Sequence, residues 1–236
     1  MLNETFYLDG IDARSVGIHL QSPVEFSEAV AISKAQTIPG RNGDLIFETG
    51  SYENRSGSAS CFCLQNDVEK SLGSSGRFLM NKKGYRRLET SDDQDHFWLA
   101  RVENSPQIAM RLRTLSPFDI GFDCKPQRFL KSGEQEIIFE QNGSLMNAYG
   151  YDALPLITLI GMGEGSVTIG NVTIQIRNVS GIMILDSETM NAYNREKPLN
   201  DQINAPIFPV LVEGENTIAF SGGVQSVKII PRWWEL

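Results

Sequence analysis

The chain has 236 residues, 41% of them hydrophobic, and a formal net charge of −8. That length suits one large or two ordinary domains, and no apolar run is long enough to span a bilayer. The acidic balance argues against a duplex nucleic acid as partner, because such affinity rests on clustered Lys and Arg.

In chain order, "MLNETFYLDG" has neither a basic n-region nor an apolar h-region, so no secretory signal is expected and the chain reads as cytoplasmic in origin. "TFYLDG" is strand-like and ends in an Asp-Gly turn. "AVAISKAQTIP" alternates loosely up to Pro39, and "DLIFETG" resumes the strand pattern after the loop "PGRNGD". In that loop Gly40 and Gly43 are expected to supply positive φ. Arg41 and Asp44 are candidates to pair with each other or with a neighbouring subunit. A phosphate cradle is excluded there, since it requires a helix N-terminus after the loop and a strand follows.

"GSASCFCL" reads as another strand, with Cys61 and Cys63 on one face. With Cys124 they make three cysteines, alongside only His19 and His96. That inventory is too thin for a zinc site or a disulfide framework, so three small buried hydrophobes are expected and no metal or cofactor. The Asn-x-Ser/Thr triplets at Asn3, Asn54, Asn142, Asn171 and Asn178 need a secretory route to matter. Leu64, Val68 and Leu72 in "LQNDVEKSLGSSG" are spaced by four and predict the chain's one helix.

Strand-like runs follow at "RFLMN", "YRRLET" and "HFWLARVEN", with the acidic turn "SDDQDH" before the last. "QIAMRLRTL" alternates as a half-buried strand, and "FDIGFDCKP" places Phe118, Ile120, Phe122 and Cys124 on one face. From about residue 133 the pattern becomes short strands at regular spacing: "EIIF", "PLITLIG", "SVTIG", "VTIQIRN", "GIMILDS", "NTIAFSG" and "SVKIIPR". "GMGEG" (161–165) leads into a strand, so a tight β-turn is expected there rather than a dinucleotide loop. Gly170-Asn171 is expected as a two-residue hairpin turn. The sequence therefore predicts residues 1–132 as a β domain with one helix and residues 133–236 as an antiparallel sandwich.

Catalytic chemistry has little support. His19 and His96 lie in different strand regions without a nucleophile motif. Asp186 and Glu188 in "DSET" sit two apart on one strand end, a poor arrangement for carboxylates that must flank a glycosidic bond. Trp233, Trp234, Tyr149, Tyr151 and Tyr193 are candidates for packing, a subunit contact or a sugar platform.

The ordered series "YLDGIDARSVGIHLQS", "TIPGRNGDL", "YENR", "RFLMNKKGYRRLETSDDQDHFWLARV" and "FDCKPQRFL" resembles the N-terminal domain of the distal tail (Dit) proteins of siphophages, in short form. "PLITLIGMGEGSVTIGNVTIQI", "ILDSETMNAYN" and "FPVLVEGENTIAFSGGVQSVKIIPRWW" are similar to that family's C-terminal domain, in order. The resemblance implies a mainly β fold: an N-terminal ring-forming domain with one helix and a β-hairpin belt, and a galectin-like sandwich. It implies a non-enzymatic homohexameric ring at the virion tail tip, made in the host bacterial cytoplasm. Its partners would be the tail tube protein, the tail-associated tip protein and a receptor-binding protein. DNA would only pass through the channel, and no membrane is involved. An acidic composition would suit such a channel. The alternative left by the residues is a carbohydrate-binding β-sandwich module.

Overall fold

A computed structural model of the protein describes residues 4–63, 76–80, 82–103, 117–195 and 197–236. The described chain is mainly antiparallel β-structure. It divides into two compact units, Met1–Arg128 with Leu236, and Phe129–Glu235. The expected helix at residues 64–76 and the expected strand at 107–115 fall outside the described residues, except for residue 76.

In the first unit β1 (Phe6–Leu8) and β2 (Ile11–Asp12) are joined by Asp9-Gly10, both at positive φ (+52° and +77°). Two positive φ values make the type I′ turn that suits the twist of a hairpin. There follow β3 (His19–Leu20), β4 (Glu25–Phe26), β5 (Ala31–Gln36), β6 (Leu45–Tyr52), β7 (Arg55–Phe62), β8 (Arg86–Thr90), β9 (His96–Val102) and β10 (Phe118–Leu130). The main sheet runs β2-β1-β8-β9-β10-β7-β3, with β4 also pairing β7, while β5 and β6 form a separate two-stranded sheet.

The register of β10 on β7 explains the small residues of "SGSASC". Phe118, Ile120 and Phe122 lie opposite Cys61, Ala59 and Gly57, and all six share the inward face. A Cβ on Gly57 would approach Phe122 Cβ and the Phe26 ring at 3.2 Å. Large side chains on one strand are thus accommodated by small ones on the next. Cys61, Cys63 and Cys124 are buried in this core, and burial pushes the Cys61 and Cys124 thiols up to about 12. They pack as small hydrophobes.

"RFLMN" corrects one expectation: residues 76–80 are helical, not extended. Phe78 and Leu79 are buried, and Arg86, only 5% exposed, donates from Nη1 to both of their carbonyls. A helix end leaves such carbonyls without partners, and the guanidinium supplies them. That signal lies in a residue eight positions away, beyond the reach of local periodicity.

The second unit holds β11 (Ile137–Phe139), β12 (Gly143–Asn147), β13 (Leu156–Ile169), β14 (Val172–Asp186), β15 (Asn191–Tyr193), β16 (Ile203–Asn204), β17 (Gly214–Ile230) and β18 (Trp234–Glu235). β13, β14 and β17 are each far longer than the short strands expected. "PLITLIG" and "SVTIG" are one strand, as are "VTIQIRN" with "GIMILDS", and "NTIAFSG" with "SVKIIPR". At one end β11 and β15 flank them, at the other β12 and β16. Ile157, Leu159, Met183, Leu185, Val227 and Ile229 from one end share a single core with Val167, Ile169, Ile174, Ile176 and Ile218 from the other. One sheet therefore folds over on itself to make both layers of a sandwich.

The fold-over explains "GMGEG", which is not the expected tight turn but the middle of β13, with a bulge between Gly163 and Gly165. A Cβ on Gly161 would lie 2.0 Å from the Gly223 carbonyl oxygen, and a Cβ on Gly223 would lie 2.0 Å from that of Met162. Gly163, Gly181 and Gly222 take φ of +91°, +82° and +68° on the three strands. Glycine is required where strands bend sharply and backbones meet without room for side chains. Gly170-Asn171 does close a two-residue hairpin, pairing Ile169 with Val172.

Candidate functional site

The expected contact residues Arg41 and Asp44 lie at the tip of the β5–β6 hairpin. Ile38 to Arg41 form a turn with Pro39 at its second position and Gly40 (φ +79°) at its third, closed by the Arg41 N–H donating to the Ile38 carbonyl at 3.1 Å. Proline presets the first central φ and glycine takes the positive second, the chemistry of a type II turn. Gly43 also has φ +79°. Both glycines therefore play the expected conformational part. The Asp44 carboxylate accepts from the Thr37 hydroxyl at 2.8 Å, which fastens the base of the loop. No ion pair between Arg41 and Asp44 is among those of the described residues, and both residues are exposed.

The hairpin below this tip is exposed on both faces. Lys34 lies opposite Phe47 and Ala35 opposite Ile46, so Phe47 and Ile46 occupy opposite faces. They are 49% and 62% exposed, and Val30 and Ile32 are exposed beside them. A two-stranded hairpin alone in water is marginal, and an exposed apolar patch marks an interaction surface. Strand periodicity in "DLIFETG" found the element. The same periodicity does not tell an apolar residue that faces a core from one that faces out, so the surface was not legible in it.

The other candidates resolve into structural roles. In "SDDQDH" the Asp93 carboxylate accepts from the backbone N–H groups of Asp95 and His96 at 3.2 Å and lies 2.8 Å from His96 Nδ1. Burial would raise the Asp93 carboxyl, but these bonds outweigh it and hold it below the usual carboxylate range. The cluster fastens the turn into β9. Asp186 receives Arg232 Nη1 at 2.7 Å, and Glu188 lies 3.6 Å from the same nitrogen. Burial opposes ionisation of Asp186, yet the guanidinium keeps its pKa low, the reverse of what a general acid requires. Trp233 is buried, Tyr149 packs against it, and Trp234 stacks on Tyr151 at 4.6 Å between centroids while its indole N–H donates to the Asp152 carbonyl. These four aromatics are committed to packing. Tyr193 lines an open groove, with Asn191, Arg195 and Lys197.

No family model matches the chain, and no curated protein does. Solved structures do. The chain aligns with the SPP1 Dit protein over 96% of its own length and 97% of that chain, at a TM-score of 0.72 and 13% identity. The chain has the Dit fold. That SPP1 structure is described as a paradigm of the hub adsorption apparatus in phages infecting Gram-positive bacteria. A second match, to a chain of the phage p2 baseplate in its activated conformation with Sr, covers 96% and 97% at a TM-score of 0.53 and 9% identity. At these identities the likeness lies in backbone architecture. The Dit fold takes in both units, so the β5–β6 hairpin belongs to its first unit and the folded-over sandwich to its second.

Proposed function

We propose that this protein is a structural adaptor of a phage tail tip, forming a homohexameric ring between the tail tube and the tip and receptor-binding proteins. The observation that carries this reading is the match to SPP1 Dit across both units. The N-terminal domain, residues 1–132, forms the ring, and residues 133–236 form the outward sandwich. The protein is made in the bacterial host and resides at the virion tail tip, with DNA only traversing the channel. It acts by assembly rather than catalysis.

The β5–β6 hairpin supplies the subunit contact. Among the described residues its apolar side chains are exposed, and no further strand pairs with either edge of the two-stranded sheet. A closed ring of identical copies covers such a surface on every protomer at once. Arg41 and Asp44 sit where the tip meets the neighbour and gain strength as water is excluded.

Light scattering and native mass spectrometry over a wide concentration range, with and without the tail tube protein, test this. The expected particle has six times the 26.3 kDa protomer mass. Phe47→Ser with Ile46→Ser is expected to abolish it, and Arg41→Ala to weaken it, with the protomer's circular dichroism unchanged. Monomer under every condition would remove the ring. An intact ring in both the double variant and Arg41→Ala would remove the hairpin as the contact and leave its tip as turn chemistry.

A further inference from the structure

We propose that Asn42, at the tip of the β5–β6 hairpin, is a site of self-modification, where the side-chain amide is lost and a new carboxylate is left between Arg41 and Asp44. The sequence has two Asn-Gly pairs, Asn42-Gly43 and Asn142-Gly143. Their intrinsic chemistry is the same. The fold separates them.

The reaction uses only the chain and water. The Gly43 backbone nitrogen gives its proton to solvent and forms a bond to Cγ of Asn42, while the bond from Cγ to Nδ2 breaks. The side-chain nitrogen takes up a proton and departs as ammonia. Water then adds to either carbonyl of the five-membered succinimide and opens it. The product is an aspartate, or an isoaspartate whose backbone runs through Cβ and Cγ. One water is consumed for each ammonia released, and nothing is oxidised or reduced. Glycine in the second position has no side chain to obstruct the approach of its nitrogen, and asparagine is a thermolabile residue.

The attack requires an exposed backbone, an unengaged glycine N–H and a side chain free to turn onto it. The hairpin tip supplies all three. Its base is fastened on one side of Asn42 by the Arg41 N–H donating to the Ile38 carbonyl at 3.1 Å, and on the other by the Thr37 hydroxyl donating to Asp44 at 2.8 Å. Between these ties neither the Gly43 N–H nor the Asn42 side chain is hydrogen-bonded to another described residue. Residues 40–44 are all exposed. Beyond its chain neighbours, no atom lies within 4 Å of where a Cβ on Gly43 would stand. No core lies against the tip, and a two-stranded sheet holds its end weakly.

Asn142-Gly143 is held instead. The Asn142 side-chain oxygen accepts from the Phe220 N–H at 2.9 Å, which ties Cγ to β17. Gly143 opens β12 and pairs with Ile218 of the same strand. A Cβ on Gly143 would meet the Phe139 ring at 3.3 Å. The two reacting groups cannot turn toward each other without breaking that sheet edge.

The product adds one negative charge beside Asp44, and its isoaspartyl form adds a backbone atom to the loop. The tip is the one assigned above to the subunit contact, but the reaction needs only the protomer and is read by mass, so failure of the ring reading would not affect it. The whole chain is kept at pH 6 or pH 8, folded or in urea, then digested with trypsin and fragmented by electron transfer, which distinguishes aspartate from isoaspartate. In the folded chain Asn42 is expected to convert at least tenfold faster than Asn142, and faster at pH 8 than at pH 6, because the Gly43 nitrogen reacts after losing its proton. In urea, where neither pair is held, the two sites should convert at closely similar rates. Asn42→Gln, one methylene too long for the five-membered ring, should remove the conversion at that position and leave Asn142 unchanged. Asn42 converting no faster than Asn142 in the folded chain, a rate that does not rise with pH, or a tenfold difference that persists in urea would each overturn the proposal.

Discussion

At the scale of single residues, Asp9 connects a turn, a sheet and a helix end. It occupies positive φ in the β1–β2 turn, and its carboxylate accepts from Lys82 Nζ at 2.8 Å, Arg86 Nε at 2.9 Å and the Arg87 N–H at 3.2 Å. Burial would raise its pKa, but these bonds outweigh burial and lower it. A carboxyl depressed in the folded state stabilises above its unfolded value, near 3.9, and that contribution is lost as pH falls through the folded value. The urea midpoint is therefore expected to be level above about pH 5 and to drop below about pH 4. Asp9→Asn, which keeps the tolerance for positive φ, should already be less stable at neutral pH and should fall less on acidification. Arg86→Met leaves Asp9 partly unpaired and strands the carbonyls of Phe78 and Leu79, a loss on the order of 3 kcal/mol in chemical denaturation. The Asp-Gly turn was legible in the sequence because turn chemistry is local. The partners of Asp9 were not, because they lie more than seventy residues away.

At the scale of elements, the sandwich depends on glycines in the middle of strands. Gly161→Ala or Gly223→Ala would force a Cβ to within 2.0 Å of a backbone oxygen, which no side-chain movement relieves. Each is expected to abolish folding of the second unit, read as loss of soluble protein or a collapsed melting transition. Gly163→Ala is the contrast. Nothing lies within 4 Å of its added Cβ, so only the strain of φ +91° remains, about 1–3 kcal/mol. Alternation over residues 156–160, 166–169 and 172–176 marked strands in the right places. Glycine between such runs has two meanings, a turn that ends a strand or a bend within one. Local composition is the same for both, and the pairing of β13 with β17 across the bend distinguishes them.

At the scale of the whole molecule, the two units have separate cores, one built on Phe6, Ile120 and Phe122, the other on Ile157, Ile174 and Ile229. Hydrogen exchange in Gly161→Ala is accordingly expected to lose protection across residues 156–230 and to retain it in β7, β8 and the Phe118–Cys124 part of β10. Protection lost throughout would show that the units fold as one. Charge also separates by unit. Residues 1–128 hold 17 Asp or Glu against 15 Lys or Arg, so most of the acidic excess lies in the second unit. In the proposed ring the near-neutral unit lines the channel, and net composition gives no support to an acidic lumen.

The sequence by itself determined most of the extended segments, though not the helical "RFLMN" or the joining of short runs into β13, β14 and β17, together with the Asp-Gly and Gly-Asn turns and the positive-φ loop at Gly40 and Gly43. It also determined the burial of the cysteines, because periodicity and turn chemistry are written in neighbouring residues. The ordered segments carried the likeness to distal tail proteins, and the fold agrees with it. The tertiary structure alone decided that "GMGEG" bends a strand and that Phe47 and Ile46 are exposed on opposite faces of their hairpin. Each of these depends on which distant backbone lies alongside or is absent, and strand spacing is indifferent to that.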